Sequence, residues 1–187
     1  MNPQGAFIIV AHHDSLNLNH MTAAAWILVS EYSDDSRILE KGVGNTDPWS
    51  VYNFLLSDPG ESKLEFRPTI GGIGGRKRIH TDADVQLKEW SHVAATYDGA
   101  EVLLYINGEI EKTQAVSGDL MQNENAIYIA ESEFYDRPFK GLLDEVALFN
   151  VPLSQEDIQH LMETGLLNTL AVSSASKLSI TWGRLKR

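Results

Sequence analysis

The chain has 187 residues, 43% of them hydrophobic and 22% charged, with no cysteine and a formal net charge of −11. At roughly 150 residues per domain this is the length of a single domain; the composition excludes wholesale disorder, and the missing cysteines exclude a disulfide scaffold or a thiolate zinc site. The acidic excess opposes nucleic acid and anionic lipid as partners and favours divalent cations where carboxylates converge, and with no run of roughly 18 apolar residues no membrane insertion is expected.

The opening Met1-Asn2-Pro3-Gln4-Gly5 has neither the basic region nor the apolar stretch of an export signal, although a piece of a longer precursor with neighbouring domains would read the same way. Residues 6–10 (AFIIV) form a β-prone run that ends in the polar turn His12-His13-Asp14-Ser15. Residues 23–29 (AAAWILV) and 37–41 are predicted strands around a polar loop at 30–36. Residues 51–56 and 64–66 flank Ser57-Asp58-Pro59-Gly60, whose Pro-Gly pair predicts a hairpin. The run 71–78 (GGIGGRKR) lacks the spacing and Lys-Ser/Thr ending of a P-loop and reads as an exposed loop.

In Trp90–Tyr97, Val93, Ala95 and Tyr97 share one face, and Val102, Leu104 and Ile106 share a face of the following strand. Asn107-Gly108 then predicts a tight type I′ turn, with 109–116 returning antiparallel. Strands at 126–130 and 142–149 follow. Ser154, with Asp157 three residues on, predicts a capped helix with Leu153, Ile158, Leu161 and Met162 as its apolar stripe and Gly165 as its stop. Residues 178–182 (LSITW) predict a last strand. Many alternating strands and one short helix predict two antiparallel sheets face to face, each covering the other's apolar side.

The segment Trp90-Ser91-His92-Val93-Ala94-Ala95-Thr96-Tyr97-Asp98-Gly99, followed by Leu104-Tyr105-Ile106-Asn107-Gly108-Glu109, resembles the central hairpin of laminin-G-like, concanavalin A-like jelly rolls. Gly141-Leu142-Leu143-Asp144-Glu145-Val146-Ala147-Leu148-Phe149-Asn150, with Pro152, Leu153, Ser154 and Ile158, resembles their closing strand and helical turn. Ser15 to Leu18, Met21-Thr22 and Ala25-Trp26 fit the opening pattern, so the likeness spans residues 5–168 and leaves 170–187 as a terminal edge strand and tail. It implies an all-β jelly-roll sandwich over a single domain. The superfamily holds lectin modules, pentraxin-like proteins, adhesion modules, accessory domains of enzymes and some glycoside hydrolases, many with Ca²⁺ at the rim. Here the first strand and its often acidic turn read as shortened or absent, which puts one expected Ca²⁺ ligand in doubt.

Asp144 is the most informative polar residue. In a regular strand it shares the apolar face of Leu142, Val146 and Leu148, where a carboxylate must meet hydrogen-bond donors or a cation. Two readings stand: a Ca²⁺ ligand, as the resemblance implies, with Asp14, Asn17, Glu133 and Asp136 as companions, or a structural carboxylate, including one turned outward by a bulge. His12 and His13 are adjacent and so make a poor chelating pair, and His92, opposite in face to Val93, is expected exposed or half-buried. For ligand contact the candidates are Tyr32, Trp49, Tyr52, Phe134 and Tyr135, whose flat rings can stack on sugars, while Trp26, Trp90 and Trp182 read as packing residues. The E-x-D-x-x-E strand motif of laminarinase-type hydrolases is missing, although Glu131 and Glu133 share a strand face.

The function expected is noncatalytic recognition of a carbohydrate or another extracellular ligand, with Ca²⁺ as the candidate cofactor and an extracellular or cell-surface location. The alternatives are a structural or adhesion domain contacting other proteins and, behind it, a glycoside hydrolase.

Overall fold

A computed structural model describes residues 6–42, 50–57, 62–132, 135–166 and 179–181, the last three as backbone alone. The strands are β1 (Ile8–Val10), β2 (Met21–Val29), β3 (Ser36–Gly42), β4 (Ser50–Leu56), β5 (Lys63–Pro68), β6 (Ile79–Asp84), β7 (Trp90–Tyr97), β8 (Glu101–Ile106), β9 (Glu109–Ala115), β10 (Ile127–Ile129), β11 (Gly141–Phe149) and β12 (Ser179–Thr181); helix α1 (Gln155–Thr164) lies between the last two. They form two six-stranded antiparallel sheets: sheet A in the order β1-β10-β3-β4-β5-β6 and sheet B in the order β12-β11-β2-β7-β8-β9. This is the all-β jelly-roll sandwich expected, and the C-terminal strand closes one edge of sheet B by pairing with β11.

Local chemistry accounts for most boundaries. Asn107 and Gly108 have φ of 50° and 80° and link Ile106 to its partner Glu109, the two positive values that a type I′ turn requires. The Ser154 side chain accepts from the Asp157 amide and Asp157 answers the Ser154 amide, the reciprocal capping box read from sequence. The glycine-rich stretch is an exposed loop, with Ile73 82% exposed. Strand β6 has no counterpart among the strands expected: of IHTDAD only Ile79 and Thr81 are buried, so its apolar alternation is too short to stand out.

Two apolar layers result. The inner faces of the sheets enclose the main core, including Met21, Ala25, Ile27, Phe54, Phe66, Val93, Tyr97 and Leu104. A second cluster lies on the outer face of sheet B, where Leu153, Ile158, Leu161 and Leu166 pack onto Ala24, Ala94, Ala147, Tyr105 and Phe149. Ala147, Ala24, Ala94 and Tyr105 are cross-strand partners in one row through β11, β2, β7 and β8, so three methyl groups make a flat floor on which α1 can lie close. The amides of Gln155 and Gln159 tie the helix to the Gly108 carbonyl at 3.0 and 3.2 Å. Ten residues are too few for an autonomous helix, so α1 persists through this packing.

Candidate functional site

Asp144 reaches the surface because β11 is not a regular strand. Asp144 pairs with Trp26 and Ala147 with Ala24, so Glu145 and Val146 together oppose Ala25, and Glu145 has a φ of 49°. This β-bulge shifts the alternation. Val146 and Leu148 turn into the main core, while Asp144 lies on the outer face with Leu142, which is 58% exposed. The regular-strand expectation that placed Asp144 with Val146 and Leu148 is therefore corrected, and the outward-turning bulge is what the chain adopts.

Beside the bulge an open groove of about 460 Å³ runs between the outer face of sheet B and the end of α1. Trp26, Trp90, Asp144 and Glu145 line its sheet side, and Met162, Glu163, Thr164 and Gly165 its helix side. Trp90 is 44% exposed and Trp26 is half-buried, so of the core or sheet-edge packing expected of them neither shows core burial. Leu142, Leu28 and Trp90 are cross-strand partners and extend the apolar surface beyond the groove. Asp144 Oδ1 accepts from the Glu145 amide at 2.9 Å, and Glu145 Oε2 accepts from the Leu166 amide at 3.4 Å, which anchors the chain leaving the helix.

His92 packs against Trp26, its ring edge-on at 5.4 Å and 69°. It is 2% exposed, not exposed or half-buried as expected, with the Trp26 ring packed against it. Burial lowers its pKa to about 4, and Nδ1 has no hydrogen-bond partner. Folded His92 thus stays neutral where the unfolded chain, near 6.5, takes up a proton. Stability contributed by the neutral ring is complete above pH ~6.5 and is lost as pH falls toward 4, by up to about 1.4 kcal/mol per pH unit. Urea unfolding at successive pH values should show this slope, and His92→Phe should flatten it within that window.

The remaining candidate residues do not gather here. Tyr32 (36% exposed) donates to the Val85 carbonyl at 3.0 Å, and Tyr135 is also 36% exposed, in the loop that leads into β11. Tyr52 is 1% exposed within the main core, and burial pushes its phenol pKa up, so its ring offers no surface to a ligand. Trp49, Phe134 and Glu133 lie outside the described residues. Asp14 is fully exposed in a 3₁₀ turn capped by His13, and Asn17 follows with a buried, unpaired Oδ1; both precede the Met21 end of β2. Asp136 belongs to the loop entering β11 opposite Val29, at the other end of the same nine-residue strand, about 26 Å away at ~3.3 Å per residue. Asp144 faces the groove between them. Among the described residues no group of three or more His, Cys, Asp or Glu side chains converges. Glu131 is likewise engaged, its Oε1 accepting from the amides of Ser132 and Arg137 at 2.8 and 3.0 Å.

Sheet A carries a different chemistry on its outer face. Arg67 donates to Asp35 at 2.5 and 2.7 Å and to Glu65 at 2.6 Å; Arg78 donates to Glu65 at 2.8 and 3.3 Å, and Arg37 to Glu40 at 2.8 Å. Arg37, Glu40, Glu65 and Arg67 are all buried. Burial pushes the Glu65 carboxyl up, but the hydrogen bonds from Arg67 and Arg78 more than reverse this and hold it below the usual carboxylate range. Asp35 is held low in the same way, chiefly by Arg67.

The fold is a two-sheet jelly roll with an open groove, lined by two indole rings, on one outer face. The family model of the concanavalin A-like lectin/glucanases superfamily matches residues 4–159, and the chain belongs to that superfamily. Over 108 residues it is 29% identical to pappalysin-1 of Mus musculus, a match covering 52% of this chain and 7% of that protein. A Bacteroides ovatus protein assigned as carbohydrate binding is 21% identical with a TM-score of 0.68, over 84% of this chain and 45% of that one. Domain 4 of an extracellular arabinanase from Geobacillus stearothermophilus, in complex with arabinotriose, is 18% identical with a TM-score of 0.62, over 84% and 88% of the two chains. The chain thus spans a small part of its curated relative and under half of the Bacteroides ovatus protein. Among the described residues no helix is long and apolar enough to cross a membrane.

Proposed function

We propose that this chain is a noncatalytic, extracellular carbohydrate-recognition module whose site is the groove between Trp90, Trp26 and the end of α1. The observation that carries this reading is the exposure of Trp90 on the wall of a groove that also holds the Asp144 carboxylate. A sugar's C–H face stacks on an indole, and a carboxylate accepts from its hydroxyls, so the two groups supply the apolar and polar halves of glycan recognition. The superfamily and the oligosaccharide bound by the arabinanase domain support the same ligand class. The groove needs no metal in this reading.

A glycan array followed by calorimetry on the hits tests it. Trp90→Ala should weaken saccharide binding about 30-fold, equivalent to about 2 kcal/mol, while leaving the far-UV spectrum and melting midpoint nearly unchanged. An array blank for neutral saccharides, or a Trp90→Ala variant that binds as well as the parent, would sink the assignment. A second reading, contact with a partner protein, is favoured by the exposed Leu142–Leu28–Trp90 row; it predicts a Leu142→Glu variant that loses its protein partner and keeps saccharide binding.

A further inference from the structure

The ionisable groups that line the Trp90 groove are all carboxylates. Asp144 and Glu145 stand on its sheet side and Glu163 on its helix side, and among the described residues that line it there is no Lys, Arg or His. Asp144 and Glu145 are half-buried and Glu163 is exposed. The bulge in β11 supplies the first two side by side, and the end of α1 lies close against them. A Cβ at Gly165 would come within 2.9 Å of Glu145 Oε1, so the glycine is what lets the helix wall approach that carboxylate.

The indoles stand in register with these acids. On the outer face of sheet B, Asp144 is the cross-strand partner of Trp26, and Trp26 is that of His92, so carboxylate and indole are direct neighbours. Trp90, two residues before His92, is the diagonal neighbour of Trp26, a step of about 7–8 Å across the sheet. His92 brings no positive charge to this row, because burial lowers its pKa to about 4. The Glu145 amide donates to Asp144 Oδ1, which orients the carboxylate without neutralising it. The face of an indole attracts a cation through its quadrupole, and a carboxylate accepts a charge-assisted hydrogen bond from the same group. An ammonium group at Asp144 and Trp26 meets both, whereas a carboxylate or sulfate placed there meets like charge from either wall.

We propose that the saccharide this groove selects is an oligomer of an amino sugar with free primary amines. One ring stacks on Trp90, and the ammonium group of a neighbouring unit donates to Asp144 against the face of Trp26, with Glu145 and Glu163 adding negative charge from the two walls. The diagonal step between the indoles is why ring and amine belong to different units, so an oligomer is favoured over a single sugar. The cation chemistry stands on the lining of the groove; the saccharide that carries it rests on the proposed function.

Calorimetry on the full chain at about pH 6, where carboxylates are ionised and primary amines protonated, tests it. The probes are a glucosamine tetramer derived from chitin, the same tetramer fully N-acetylated, tetragalacturonate and tetralysine, and each competes with any cation that the chain itself brings to the groove. The glucosamine tetramer should bind about tenfold or more tightly than its acetylated form, and this preference should shrink as salt rises past roughly 0.15 M, where the Debye length is about 8 Å. Tetragalacturonate should bind more weakly than either. The ratio of the two tetramer affinities should fall about threefold or more in Asp144→Asn, and Trp90→Ala should weaken both tetramers. Equal binding of the two tetramers would overturn the proposal, as would a ratio unchanged in Asp144→Asn or tetralysine bound as tightly as the glucosamine tetramer. Tetramers that bind equally, and that Trp90→Ala weakens equally, would remove the amine and leave the carbohydrate reading standing; no binding by either tetramer or by any neutral saccharide would remove both.

Discussion

Replacing Glu65 by Leu should destabilise the fold by about 3–5 kcal/mol, measured by urea unfolding at neutral pH, because it leaves a buried guanidinium without one of its two carboxylates. Glu65 is 0% exposed and Arg67 2% exposed, so water cannot take over the lost hydrogen bonds, and Asp35 alone must then compensate Arg67. Removing both partners has a different outcome. Glu65→Leu with Arg67→Met deletes the orphaned charge together with its cause, and the pair should recover part of the loss, since apolar residues replace buried ion pairs at little cost while Asp35 keeps only Arg37, at 3.5 Å. A double variant as unstable as the single one would show that Arg67 has independent work to do. The pH dependence carries a matching sign. Asp35 and Glu65 both sit below their ordinary values, so their contribution is complete above the unfolded values near pH ~4 and is lost as the pH falls below them. The acid limb should therefore have two stages, His92 between about 6.5 and 4 and the carboxylates beneath, and Glu65→Leu/Arg67→Met should shorten only the lower stage.

The legible parts of this fold are those written in neighbouring residues. Asn107-Gly108 demands two positive φ values wherever it occurs between alternating strands, and Ser154 with Asp157 closes a capping box using only its own turn. The alternation of Trp90–Tyr97 names its inward face because Val93, Ala95 and Tyr97 meet one apolar layer. What was not legible depends on partners distant in sequence. The bulge sets a non-glycine residue, Glu145, at a φ of 49°, and nothing local marks it, because only the pairing of β11 with β2 shows two residues opposing one. It nevertheless decides the face of Asp144. His92 is polar and outward, yet Trp26 on the neighbouring strand covers it; Trp90, also outward, has Leu28 beside it and remains 44% exposed. Two outer-face residues of one strand thus differ in exposure according to their cross-strand neighbours, Trp26 for His92 and Leu28 for Trp90. Most of the Arg67 network was equally hidden: Asp35 is 32 residues from Arg67 and Arg78 is 13 from Glu65, separations that only the folded sheet closes, whereas Glu65 and Arg67 are neighbours on one face of a single strand.

Phe149→Ala should cost about 3–5 kcal/mol and should also weaken saccharide binding in the Trp90 groove, although Phe149 does not line it. Phe149 is 2% exposed and belongs to the cluster beneath α1, not to the main core. Its truncation leaves a cavity between sheet and helix that the floor of Ala147, Ala24 and Ala94 is too small to fill. Because α1 has only ten residues, weaker packing should let it open before the sheets do. The end of that helix supplies Met162, Glu163, Thr164 and Gly165 to the groove, so the ligand loses one wall. Hydrogen exchange should accordingly show the amides of α1 deprotected while those of β2 and β7 stay slow. Phe66→Ala is the matched comparison: it makes a cavity of similar chemistry in the main core, at 0% exposure, with a similar expected loss of stability. Well below its melting midpoint it should bind saccharide as the parent does. Equal weakening in the two variants would mean that the groove follows global stability alone, and the helix floor would then have no special claim on the site.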